Sequence, residues 1–177
     1  MPFTPFHFGP GAALHAIAPR QVSFLAFCTS NVLIDLESLY NLVNHRHPVH
    51  AFLHTYVGAT LMVLATVVLF GALRAVAPLL RLPNPFCWQE LTRRQILLGA
   101  TLGAYSHVLL DSLMHHDLEP LAPLSRTNLL LNVVPLDALH WACVVAGLLG
   151  LAIIGVRKVT RPHDSGNVAS SSRAGVR

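Results

Sequence analysis

Gly58-Ala59-Thr60-Leu61-Met62-Val63-Leu64-Ala65-Thr66-Val67-Val68-Leu69-Phe70-Gly71-Ala72-Leu73 holds no ionisable side chain. It is the centre of a longer run, residues 50–80, read as one helix that opens on His50 and His54. About 20 apolar residues in a helix cross roughly 30 Å of hydrocarbon. A charge-free run of this length in a short chain therefore points to a membrane helix rather than a soluble core.

The rest of the chain agrees. Of its 177 residues 53% are hydrophobic and only 11% charged, well below the roughly 25% charged of soluble domains. Residues 21–43, 95–114 and 137–156 give three further apolar segments, and residues 11–18 a short one that stops at Pro19-Arg20. The expected fold is all-α, a polytopic membrane helical bundle of four spanning helices plus a short N-terminal helix. Residues 1–160 form the membrane domain. Residues 161–177, rich in Ser, Gly and charge, read as a disordered cytoplasmic tail.

The net charge of +4 does not signal nucleic acid, because Arg and Lys stand at helix ends rather than in a patch interleaved with aromatics. They act as topology signals instead. If the five helices alternate in direction, Arg20, Arg81, Arg93, Arg94, Arg157, Lys158 and Arg161 fall on one side, and Arg46 and Arg126 on the other. That bias expects an inner, plasma-type membrane, a cytoplasmic C-terminus, and the lipid bilayer as the main partner. The start Met1-Pro2-Phe3-Thr4-Pro5 lacks the positive charge of a cleavable signal peptide. Cys28, Cys87 and Cys143 show no C-x-x-C spacing and read as free thiols.

The same zigzag gathers His7, Asp35, Glu37, the histidines of residues 45–54, His107, Asp111, His115, His116 and His140 at the opposite, outer face. An ionisable group within a membrane helix costs at least about 2.5–3.5 kcal/mol on insertion scales, so it is usually paired or functional. His50 with His54, and His107 with Asp111, are i,i+4 pairs that would project from one helix face and chelate a metal, the geometry by which H-E-x-x-H holds zinc. Asp35 adds a carboxylate from another helix. Glu37 suits a carboxylate that orients a metal-bound imidazole. His15, His45 and His47 read as interfacial, as do His115 and His116 beside a loop. His140-Trp141 reads as an aromatic anchor.

An early histidine, Ile34-Asp35-Leu36-Glu37 late in the next helix, His50 and His54 opening the one after, and Gly103-x-x-Ser106-His107-x-x-x-Asp111 together resemble the YdjM-like family of membrane-bound metal-dependent hydrolases. The resemblance covers residues 5 to about 120, and 103–111 is its most specific part. It implies a divalent-metal site, zinc or manganese, with His7, Asp35, His50, His54, His107 and Asp111 as ligands. The family's Pro-Asp-x-Asp stands here without the proline and with Glu37 as its second acid. Its His-Arg-x-x-Thr-His-Ser has no arginine in 50–55.

The expected activity is metal-assisted hydrolysis of a phosphoester or other ester, with a lipid-linked substrate suited to a site at the membrane face. Such a metal lowers the pKa of its water towards 7, and one of Asp35, Glu37 and Asp111 would accept the proton. Six ligands exceed the need of one tetrahedral zinc, which leaves one ion of higher coordination or two neighbouring ions. A non-catalytic integral membrane protein, an ion- or proton-handling protein and a haem-binding bundle remain as alternatives.

Overall fold

A computed structural model describes residues 6–160, so the predicted tail at 161–177 and the start at 1–5 lie outside the described residues. Five helices make up the fold: α1 (Phe8–Ile17), α2 (Phe24–Val43), α3 (Tyr56–Leu80), α4 (Arg93–Met114) and α5 (Leu136–Thr160). No strand occurs among the described residues.

Three helices, not the expected four, are long and apolar enough to cross a membrane: α3, α4 and α5. The exception is α2. It has the length, but Ser30, Asn31, Ser38 and Asn41 are buried along it, and Asp35 and Glu37 add charge. Its polar side turns inward on the other helices, so α2 carries functional groups where a plain anchor would carry aliphatic ones.

The helix expected over residues 50–80 begins later. Phe52–His54 is a short 3₁₀ turn and α3 starts at Tyr56. Thr55 is the reason: its Oγ1 accepts the Gly58 N–H at 3.0 Å and caps the helix. The Tyr56 N–H, free of any helical partner, donates to the Pro120 carbonyl at 3.0 Å. His50 and His54 are therefore not one helical i,i+4 pair. At the far end Thr92 and Gln95 form a reciprocal capping box that starts α4 two residues before the expected 95.

α2 and α4 run parallel and pack closely, because α4 presents Gly99 and Gly103 one turn apart. A Cβ on Gly99 would collide with the Ser23 carbonyl, and one on Gly103 with the Phe27 carbonyl and Ser30 Oγ. Without side chains there, the backbones approach directly. Ser23 lies against Gly99, Phe27 against Gly103 and Asn31 against His107, a constant register of 76 residues. α3 descends against both, and Ile34, Ala59, Val63, Ala100, Ala104 and Val108 form the buried core between the three.

α1 seats on α5. Gly9 backs onto the Cys143 carbonyl and Gly150 onto Ala12, and the Arg157 guanidinium donates to the Ala16 carbonyl at the far end. The two helices run in the same direction. Both begin at the end of the bundle where α2 and α4 finish and α3 starts.

Candidate metal centre

Four side chains converge at that end: Asp35 of α2, His54 of the 3₁₀ turn, and His107 and Asp111 of α4, with ligand atoms all within 4.8 Å of one another. His107 Nε2 lies 3.2 Å from Asp35 Oδ1 and 3.2 Å from Asp111 Oδ2. His54 Nε2 lies 3.5 Å and 3.4 Å from the same two oxygens. The two Nε2 atoms are 3.4 Å apart. These lengths describe edges of one small polyhedron. Four ligands about 2.0–2.1 Å from a central ion define a tetrahedron with edges of about 3.3–3.4 Å. Adjacent ligands of an octahedral ion at that bond length would stand only about 2.8–3.0 Å apart.

The tautomer of His107 follows from its surroundings. The Asn31 amide donates through Nδ2 to the Phe27 carbonyl at 2.8 Å, so its Oδ1 faces the ring. His107 Nδ1–H donates to that oxygen at 2.9 Å. A neutral His107 then carries its lone pair on Nε2, which faces two carboxylate oxygens and a second imidazole nitrogen. All are electron donors, and a cation between them satisfies the set. Ser38 Oγ packs beside the His54 ring, 3.4 Å from Nδ1 and 3.5 Å from Nε2, and so does not choose between its nitrogens.

Burial grades the four ligands. His54 and His107 have fully buried side chains and Asp111 is 5% exposed, whereas Asp35 is 15% exposed. The site is closed on the α4 side and open past Asp35.

His7 stands beside this group rather than in it. Its Nε2 is 3.2 Å from Asp111 Oδ1, the oxygen turned away from the four-atom set, and its ring packs against His107 with centroids 4.4 Å apart. Neither ring nitrogen makes an aligned hydrogen bond, although both are buried. Burial, with His107 adding to it, pushes the His7 imidazole down to about 4, so it is neutral at physiological pH.

His50 joins a second group with Asp111 and His115, again with ligand atoms within 4.8 Å of one another. Glu37 joins neither. Its Oε2 accepts the Leu53 N–H at 2.6 Å and so fixes the 3₁₀ turn that presents His54. His115, expected beside the interface, stacks its ring on His50 at 4.1 Å. His140 stacks on Phe6 at 4.6 Å, and Trp141 is 68% exposed, as an aromatic anchor would be.

Asp117 is a site residue that sequence reasoning missed. Its Oδ2 accepts the backbone N–H groups of Val49 and His50 at 3.1 Å and 3.2 Å, and its Oδ1 accepts His50 Nδ1–H at 2.9 Å. Burial alone would raise this carboxyl. The hydrogen bonds from the His50 ring and backbone outweigh it and hold Asp117 at about 2. Asn31 was missed too, although it stands one turn before Asp35 on the same helix face.

Protein-family profiles, curated proteins and solved structures contain no match to this chain. The nature of the site therefore rests on its own geometry and donor chemistry.

Proposed function

We propose that this chain is a membrane-bound, divalent-metal-dependent hydrolase acting on an ester or phosphoester, lipid-linked, at the membrane face. The observation that carries the reading is that five of the six edges among Asp35, His54, His107 and Asp111 are 3.2–3.5 Å in length, the spacing of a tetrahedral ion's ligands. Zinc is favoured over ions that demand an octahedron. The motif resemblance to the YdjM-like family points to the same chemistry.

A bound divalent ion would supply a low-pKa water and polarise the scissile group. The chain's own residues divide the remaining work. His54, His107 and Asp111 are the enclosed holders, with Asn31 setting the His107 orientation. Asp35, on the open side, would yield its corner of the tetrahedron to water when substrate binds and accept the proton released from it. Glu37 is a positioning residue, since it holds the turn bearing His54 through the Leu53 N–H. The site lies at the end of the bundle where α2 and α4 finish and α3 starts, the level at which a lipid-linked substrate would present its head group. The count of basic residues favours a plasma-type membrane with the C-terminus in the cytoplasm and this site on the outer face.

The deciding experiment is elemental analysis of detergent-purified protein, wild type against the His107→Ala, Asp111→Ala double variant with matched helicity. Bound zinc in the wild type, absent from the variant, supports the reading and directs a screen of phosphoesters and lipid esters. A wild type that takes up no divalent ion after zinc is supplied sinks it, and would recast the cluster as an ion-paired, proton-handling group.

A further inference from the structure

We infer a second divalent-cation position beside the first, held by His50, His115 and Asp111, so that the Asp111 carboxylate bridges two ions. This rests on the metal-dependent reading above and extends it to a dinuclear centre.

The first support is the state of His50. Asp117 takes its Nδ1–H at 2.9 Å, which leaves the lone pair of a neutral ring on Nε2. That atom is buried and has no hydrogen-bond partner among the described residues, in a side chain only 5% exposed. A buried acceptor left alone carries a penalty of about 1–3 kcal/mol. A carboxylate bound to one imidazole nitrogen while the other is bare and enclosed is the arrangement around metal-ligating histidines. Asp117 holds His50 by three separate donors, the ring and two backbone N–H groups, far more than packing alone needs.

The second support is the company His50 keeps. His115 stacks on it, and a ligand atom from each of His50, His115 and Asp111 lies within 4.8 Å of the other two. Asp111 belongs to this group and to the four-atom group alike. Its Oδ2 faces His54 and His107, while Oδ1 faces away from them towards His7. The Asp111 carboxylate, common to both groups, is the one side chain that would be shared between the two positions, and paired catalytic ions stand about 3.5–4 Å apart.

The third support is access. A cleft of about 340 Å³ is lined by Pro48, His50, Phe52, Thr55, Asp117 and Pro123 among others. It adjoins the second position. The His50 side is thus a second approach beside the opening past Asp35, and two adjacent cations match a phosphodiester, which offers two non-bridging oxygens where a carboxylic ester offers one carbonyl.

The test uses the full chain in detergent, zinc as the probe, and metal content as the readout. Wild type is expected to hold two zinc per chain, His115→Ala one, and Asp111→Asn fewer than one. Cobalt(II) titration of the wild type provides a check that needs no variant: two equivalents should bind, and the second should quench the paramagnetic signal of the first through the Asp111 bridge. One zinc per wild-type chain, kept in His115→Ala and lost in His107→Ala, overturns the second position and leaves the hydrolase reading intact. No zinc in the wild type overturns both.

Discussion

Asn31 Oδ1 accepts the Nδ1–H of His107 at 2.9 Å across the α2–α4 interface, and that single bond determines which imidazole nitrogen the cluster receives. Removing it frees the ring to rotate and to change tautomer. Asn31→Ala is expected to weaken zinc affinity about 10–100-fold, measured by competition with a chromophoric chelator. Asn31→Asp keeps an acceptor in place and should retain most of the affinity. Equal losses in the two variants would show that packing rather than the hydrogen bond matters.

Metal removal should lower stability by mass action. At a free zinc concentration of 100 times Kd, binding to the folded state alone adds about 2.7 kcal/mol. Thermal unfolding in detergent, followed by helicity, should therefore shift down on chelation and recover when zinc returns. His54→Ala, which loses a ligand of the first position, should show a smaller shift on chelation than wild type.

Gly103 tests the link between packing and site. Any side chain there meets the Phe27 carbonyl and Ser30 Oγ, and overpacking of this kind costs about 1–3 kcal/mol. Gly103→Val should push α4 away from α2, so that melting temperature and zinc content fall together. Gly71, with open space around it, is the control: Gly71→Ala should leave zinc content unchanged and should not lower the melting temperature.

Asp117→Ala strands three donors on residues 49 and 50. A loss of about 2 kcal/mol in stability is expected from unmade hydrogen bonds to a charged group. The sign with pH is fixed by the depressed carboxyl: its contribution is complete above the ordinary aspartate range and disappears as pH falls towards about 2. Wild type and Asp117→Ala should thus differ in melting temperature at neutral pH and converge in strong acid.

The legible part of this site was the part that local periodicity carries. His107 and Asp111 are one turn apart on a capped helix, and the structure brings them within 3.2 Å. Asp35 could be paired with them because alternating helices return to the same face. The failures share a different cause. His50 and His54 lie in a segment whose path is set by Thr55 as a cap and by Pro120 as a backbone acceptor, and neither is a periodic signal. Asp117 and His115 reach His50 across 67 and 65 residues of chain, through an irregular connection without a repeat to read. Glu37 was legible as a functional carboxylate, but its partner is a backbone N–H, which no side-chain motif advertises. α2 reads as a fourth span in the sequence despite Asp35 and Glu37, whereas only α3, α4 and α5 are apolar enough to cross a membrane and the inward polar side of α2 is what brings Asn31 and Asp35 to the cluster.

The seating of α1 on α5 has a consequence for biogenesis. His7 comes early in the chain, on a helix of ten residues that is too short to cross a bilayer unaided, and its main support is the fifth helix to be synthesised. The ligands from α2, the 3₁₀ turn and α4 can meet while the nascent chain is still on the ribosome. His7 must wait beside an incomplete bundle until residues 136–160 arrive to receive it. The flank of the centre at Asp111 Oδ1 is therefore closed only once α5 has been made, after the ligands of the other helices have met.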